Sequence, residues 1–221
     1  MKVNVHDPRG EELAQVLTRA TAALAQGPSP RVAAGLPAAP LLYDGSRSRL
    51  QHAALMGERL TPEQVVEYEA LVARRACREP LQHITGSAPF CRLELAVGPG
   101  VFVPRPETEL LVEEALKVLA ARTDTAPGGS RIVDLCTGSG AIAAAIKSEL
   151  PNAQVFAVEL SEDAIPYTRK NLEPLGVHLI QGDALTALPE LAGTFDAVLS
   201  NPPYISRIVA MSFCEPRSCG P

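Results

Sequence analysis

The chain has 221 residues, 46% of them hydrophobic and 20% charged, with a formal net charge of −5. That balance suits a protein with a real core and argues against a general nucleic-acid binder. No run approaches the ~20 apolar residues of a membrane-spanning helix. The charge is uneven: of 20 Lys+Arg and 25 Asp+Glu, residues 1–85 hold ten and nine, leaving ten and sixteen for 86–221. The N-terminus has no charged-then-apolar signal pattern, so the expected location is the cytoplasm. Five cysteines (Cys77, Cys91, Cys136, Cys214, Cys219) are scattered without metal-ligand or disulfide-framework spacing. They are expected to be free thiols, and no metal is expected.

Residues 9–25 read as a helix with Leu13, Val16, Leu17, Ala20 and Leu24 on one face. Gly27, Pro28, Pro30, Gly35, Pro37, Pro40 and Gly45 would break any helix over 27–48. A second helix is expected over 62–78: Thr61 is a good N-cap, Pro62 fits the first position and Gln64 completes a capping box. Arg74, Arg75 and Arg78 near its end suit the helix dipole, or form a patch for an acidic partner.

From Phe90 the period shortens to two. Phe90, Leu93, Leu95 and Val97 alternate, Gly98-Pro99-Gly100 turns the chain and Val101-Phe102-Val103 returns, which predicts a hairpin. Pro106 and the acidic residues after it open a helix to about Arg122. Beyond a loop at 123–130, strands at 132–135, 155–158, 177–180 and 195–200 alternate with helices at 141–150 and 162–172. That alternation predicts a parallel, doubly wound α/β sheet with right-handed crossovers.

The ends of these strands carry the polar chemistry. Gly138 and Gly140 allow a ligand close to the backbone, and the helix that follows offers free N–H groups. The turn is neither a dinucleotide fingerprint nor a P-loop, and is a weak signal alone. Glu159, about twenty residues on, is placed to accept two ribose hydroxyls, and Gly182-Asp183 suits an adenine edge. The fourth strand ends in Asn201-Pro202-Pro203-Tyr204, where two prolines stop the ladder and an amide and an aromatic face are presented. Three consecutive strand ends make a nucleoside site, and the fourth completes it. No role is expected for His83 or His178.

In these stretches the sequence resembles the class I S-adenosylmethionine-dependent methyltransferases, and more closely the release-factor glutamine N5-methyltransferases. The likeness rests on Pro80-Leu81-Gln82-His83-Ile84-Thr85-Gly86, on 102–109 (Phe-Val-Pro-Arg-Pro-Glu-Thr-Glu), on 134–140 (Asp-Leu-Cys-Thr-Gly-Ser-Gly), on Glu159 and on 201–204. It implies a Rossmann-like methyltransferase sheet lacking its C-terminal strands, preceded by a small helical domain and a β-hairpin connector. The implied divisions are a substrate-recognition domain (1–86), the connector (87–105), a partial methyltransferase domain (106–204) and an irregular, non-native tail (205–221).

The implied cofactor is S-adenosylmethionine, held by Asp134, Cys136, Thr137, Gly138, Ser139, Gly140, Glu159, Gly182, Asp183, Ala184 and Asn201. The implied acceptor is a glutamine side chain of a peptide-chain release factor, bound by Asn201, Pro202, Pro203, Tyr204, Phe102 and Arg105. The resemblance implies that the 201–204 motif is the catalytic element. Asn201 and the Pro202 carbonyl accept hydrogen bonds from the target amide, while Tyr204 packs on its plane. The protein is expected to be a monomer that binds neither nucleic acid nor membrane.

Two competing expectations are a nucleic-acid amino-methyltransferase using the same motif and an inactive truncated fragment. Cys136 stands where the family usually has glycine. Residues 33–45 stand where it has an amphipathic helix. The loss of pattern after Tyr204 leads to the expectation of a truncated or frame-shifted product, with the fourth strand left at a sheet edge.

Overall fold

The computed structural model describes residues 11–25, 56, 59–120 and 129–203. Tyr204, the 33–45 segment and the 205–221 tail, on all of which expectations were placed, lie outside the described residues. The chain divides into two compact units, with the boundary between Thr85 and Gly86.

In the first unit, β1 (Glu11–Glu12) pairs antiparallel with β2 (Arg59–Leu60). Helix α1 (Leu13–Ala25) packs on α2 (Pro62–Ala76). The residues chosen by the 3.6 period are the ones that meet: Leu13, Val16, Ala20 and Leu24 of α1 form one buried cluster with Leu60, Val65, Tyr68 and Val72. The α2 cap is formed as expected. The Gln64 N–H donates to Thr61 Oγ1 at 3.3 Å and the Thr61 N–H donates to Gln64 Oε1 at 2.9 Å. At the other end, Arg74 Nε donates to Glu79 Oε2 at 2.8 Å and Arg75 to the Glu79 carbonyl at 2.8 Å. Both arginines thus bind Glu79, three residues past the last residue of the helix. A five-residue helix, α3 (Leu81–Thr85), follows within the stretch that carried the family resemblance but no predicted element. The free-thiol expectation is corrected at one position. Cys77 is disulfide-bonded, whereas Cys91 and Cys136 are free, because spacing in sequence does not reveal which thiols a fold brings together.

The second unit opens with a hairpin of β3 (Ser87–Phe90) and β4 (Leu93–Ala96). The expected hairpin exists but turns earlier, at Cys91-Arg92, with Cys91 at φ 51°. Val101-Phe102-Val103 is not a strand. Gly98-Pro99-Gly100 turns the chain instead against a later helix: a Cβ on Gly98 would lie 2.2 Å from the Tyr167 hydroxyl. The expected helix from Pro106 begins as a 3-10 turn (Pro106–Thr108) and continues as α4 (Glu109–Ala120).

Four parallel strands follow: β5 (Arg131–Leu135), β6 (Gln154–Glu159), β7 (His178–Gln181) and β8 (Ala197–Ser200). Helix α5 (Ala141–Glu149) joins β5 to β6, and α6 (Ile165–Leu172), three residues shorter at its start than expected, joins β6 to β7. The spatial order is β7-β6-β5-β8. The chain therefore steps outward from β5 to β7 and returns to the other side of β5, so the order reverses between β5 and β8. In doubly wound sheets, ligands bind beyond the carboxyl ends of the strands at such a reversal.

The core lies around β5, β6 and α5, where Ile132, Val133, Val155, Ala157 and all of 141–146 are buried. Four of those six α5 residues are alanine or smaller in bulk than isoleucine, which lets the helix sit close against its neighbours. His178 stacks on Phe156, centroids 4.9 Å apart. Replacing Thr61 with Ala removes one half of the reciprocal cap. It should destabilise the first unit by about 1 kcal/mol, read as a lower urea midpoint at unchanged slope.

Candidate active site

The β5–α5 connection must convert a strand into a helix within 136–140. It does so with three residues in the left-handed region, Cys136 (φ 58°), Gly138 (φ 59°) and Gly140 (φ 83°). At Gly140 a side chain is also barred by space, since its Cβ would meet the Leu172 side chain at 2.8 Å. At Gly138 the added Cβ would meet nothing within 4 Å, which leaves the backbone open to an approaching group. Cys136 has no such freedom. An L-residue there carries strain of ~1 kcal/mol or more, as expected from a cysteine in a glycine position.

Two carboxylates hold the turn. Asp134, 1% exposed at the end of β5, accepts hydrogen bonds at Oδ2 from the Thr137 hydroxyl and, at 3.2 Å, from the Ala143 N–H. Its Oδ1 is buried with no hydrogen-bond partner. Burial first, and the negative charge of Glu159 last, push its pKa up to about 7 against the hydrogen bonds from Thr137 and Ala143. Glu159, the last residue of β6, is 9% exposed. Its Oε2 accepts from the Gly138 N–H at 2.7 Å and its Oε1 from the Ser161 N–H at 2.8 Å. Each oxygen keeps a second lone pair for a ligand hydroxyl. The Cys136 thiol is pushed up by burial and then by the Glu159 and Asp134 carboxylates, with a hydrogen bond to Ser200 pulling the other way.

The remaining strand ends converge as the sequence reading placed them. The Thr137 N–H donates to the Val158 carbonyl at 3.0 Å and the Gly182 N–H to the Glu159 carbonyl at 2.9 Å. These bonds tie the ends of β5, β6 and β7 together. Ser139 is buried, Asp183 is exposed and accepts from the Leu185 N–H at 2.9 Å, and Ala184 is half-buried beside it.

On the other side of β5, β8 pairs Leu135 with Ser200, which brings Asn201 to the reversal point. Asn201 Nδ2 donates to the Thr108 hydroxyl at 3.1 Å. Pro202 and Pro203 are exposed. Phe102 and Arg105 lie in the segment leading to Thr108, both exposed, with the guanidinium carbon 5.4 Å from the ring centre, a cation–π pair.

Sequence reasoning missed three polar residues: Thr108, Thr168 and Asn171. The Thr168 hydroxyl approaches the Gly138 carbonyl at 2.6 Å and Ala164 at 2.9 Å. Asn171 Nδ2 donates to the Ser139 carbonyl at 2.8 Å and the Ala96 carbonyl at 2.9 Å, while its Oδ1 accepts from the Ala96 N–H at 2.7 Å. The i, i+3 spacing of Thr168 and Asn171 places them on one helix face but does not reveal that the face is turned inward.

A profile of a methyltransferase domain matches residues 132–210, and one of the PrmC N-terminal domain matches 15–86. The chain is 61% identical over 138 residues to the release factor glutamine methyltransferase of Streptomyces coelicolor, covering 62% of this chain and 48% of that one. It is 44% identical over 199 residues to that of Corynebacterium glutamicum, covering 87% and 67%. It is also 44% identical over 137 residues to a 4-amino-L-phenylalanine/4-methylamino-L-phenylalanine methyltransferase of Streptomyces pristinaespiralis, covering 61% and 46%. The fold and the β5–α5 turn belong to a methyltransferase of the parallel-sheet class. The chain belongs to the release factor glutamine methyltransferase family, and spans about half the length of the first relatives it matches.

Replacing Cys136 with Gly should raise stability by about 1 kcal/mol, since it relieves the left-handed strain, and thermal unfolding reads this directly. Asp134 predicts a pH dependence of definite sign. Its folded-state pKa lies above its unfolded value, so the folded state holds the proton more tightly between about pH 4 and pH 7. Stability should therefore fall as pH rises through that window and level off above it. The Asp134→Asn variant should lose that component of the slope in denaturant titrations.

Proposed function

We propose that the protein transfers a methyl group from S-adenosylmethionine to the side-chain amide nitrogen of a glutamine in a peptide-chain release factor. The observation that carries the reading is Asn201 at the β5/β8 reversal, its amide nitrogen held by Thr108. The residues present fit the cofactor. The turn at 138–140 has room for a ligand, Glu159 keeps lone pairs for the ribose hydroxyls, and the unpartnered Asp134 Oδ1 lies beneath the same turn. In this reading Gly182, Asp183 and Ala184 flank the adenine, and Cys136, Thr137 and Ser139 complete the cradle.

When bound, the cofactor supplies an electrophilic methyl on a sulfonium. The protein's part is to present the amide. A primary amide nitrogen is a poor nucleophile because its lone pair is delocalised into the carbonyl. Asn201 Oδ1 and the Pro202 carbonyl accept the two amide N–H groups and turn the nitrogen toward the methyl. As the nitrogen becomes pyramidal its N–H bonds become more acidic, so these acceptors bind more strongly as attack proceeds. Positioning of this kind supplies on the order of 7–11 kcal/mol, and each oriented acceptor about 3 kcal/mol. The proton leaves the product nitrogen after attack, so no tuned base is required.

Pro203 stiffens the presentation, and Tyr204 packs on the amide plane. Phe102 and Arg105 line the approach of the substrate chain. Residues 1–86 select the release factor. The reaction belongs to the cytoplasm, and the protein acts as a monomer.

The test is methyl transfer by the purified chain from labelled S-adenosylmethionine to a release factor or to DNA. Label on the release factor alone is expected, whereas label on DNA alone, or on neither acceptor, overturns the reading. Asn201→Ala should lower kcat by on the order of a hundredfold or more. Thr108→Val, which removes the hydrogen bond to the Asn201 amide, should lower it by about tenfold with little change in the KM for cofactor.

A further inference from the structure

We infer that Thr168 and Asn171, one turn apart on α6, are positioning residues that set the direction of the N–H groups of the cofactor turn. The inference rests on the cofactor reading above. The two side chains take consecutive carbonyls of the turn: Thr168 takes that of Gly138 at 2.6 Å and Asn171 that of Ser139 at 2.8 Å. A trans peptide points its N–H opposite to its C=O. Drawing the Gly138 carbonyl toward α6 therefore turns the Ser139 N–H away from α6. Drawing the Ser139 carbonyl the same way turns the Gly140 N–H back, where it donates to the Thr137 carbonyl at 2.9 Å.

Residues at this turn are free to choose otherwise. Gly138 and Gly140 both sit in the left-handed region, where glycine has neighbouring conformations of similar energy. Nothing in the glycines themselves selects one peptide orientation. Thr168 is fully buried, so its hydroxyl has no water to turn to, and its single proton is shared with its own helix at Ala164. Asn171 is anchored independently, because its other two bonds go to the Ala96 N–H and carbonyl of β4. The clamp is thus referenced to two rigid elements, α6 and the hairpin.

The group oriented by this clamp is the Ser139 N–H, one residue ahead of the α5 N-cap Gly140, beside a helix N-terminus that favours an anion. The ligand portion it serves is the carboxylate of the cofactor's amino-acid end, and the nucleoside end rests on Glu159 and Asp183. Loss of the clamp should therefore weaken binding of one end of the cofactor and spare the other.

The experiment uses the full chain and two non-reactive ligands in calorimetric titration. S-adenosylhomocysteine carries the amino-acid end, whereas 5′-methylthioadenosine has the same nucleoside without it. Thr168→Val and Asn171→Asp should weaken S-adenosylhomocysteine by about tenfold or more and leave 5′-methylthioadenosine within a few-fold of wild type. Thr168→Ser, which restores the hydroxyl, should recover wild-type affinity. Equal losses for both ligands, or no loss for either, overturn the inference and leave the cofactor reading standing. Wild type binding neither ligand defeats the cofactor reading instead. In that case amide hydrogen exchange decides the clamp in the ligand-free protein: exchange across 138–141 should accelerate in Thr168→Val and not in Thr168→Ser, and unchanged exchange in both overturns it.

Discussion

Between the end of β5 and the first turn of α5 the backbone makes its hardest manoeuvre, and the surrounding polar groups are explained by it. Three left-handed residues in five leave several N–H and carbonyl groups turned out of any regular ladder, in a place too buried for water to pair them freely. Glu159 takes the Gly138 N–H, Thr168 the Gly138 carbonyl and Asn171 the Ser139 carbonyl. Asp134 closes the base through Thr137 and Ala143. These side chains come from three different elements, so the turn is held only when β5, β6 and α6 are all in place.

The same arrangement sets the electrostatics. Two carboxylates stand at the ends of adjacent strands, one engaged by backbone N–H groups through both oxygens, the other buried with one oxygen unpartnered. Burial above all holds Asp134 toward its neutral form, and the neighbouring Glu159 charge adds the smallest push in the same direction. Glu159, at the end of β6, is 9% exposed. The thiol of Cys136 between them is pushed up by burial first and by the same two carboxylates second.

Much of this was legible because it follows from period and punctuation. Leu13, Val16, Ala20 and Leu24 are four apolar residues on one helical stripe, and they are buried together. Thr61-Pro62 and Gln64 spell a cap that forms. The βα alternation from Ile132 onward implied the parallel sheet that forms, and hydrogen bonds tie the ends of β5, β6 and β7 to one another. What failed depended on contacts distant in sequence. The hairpin turn was placed at Gly98-Pro99-Gly100 because those residues have turn chemistry, yet their glycines serve close packing against Tyr167 and Asp163. The turn itself uses Cys91, which has no such signature. Thr168 and Asn171 were hidden for the same reason: a threonine and an asparagine on a helix look like surface residues until their partners are seen. The pairing of Cys77 belongs with them.

Asn171 also acts on the hairpin. A side-chain amide carries a carbonyl and an N–H in the same relation as a peptide group, and this one bonds to both main-chain groups of Ala96 on the side that β3 does not occupy. A single residue of a helix thereby imitates one rung of a third strand. A two-stranded sheet ordinarily exposes such a rung as a template on which another chain can extend the ladder. Here that rung is taken from within the same unit, and the hairpin is terminated without spending any further backbone on it.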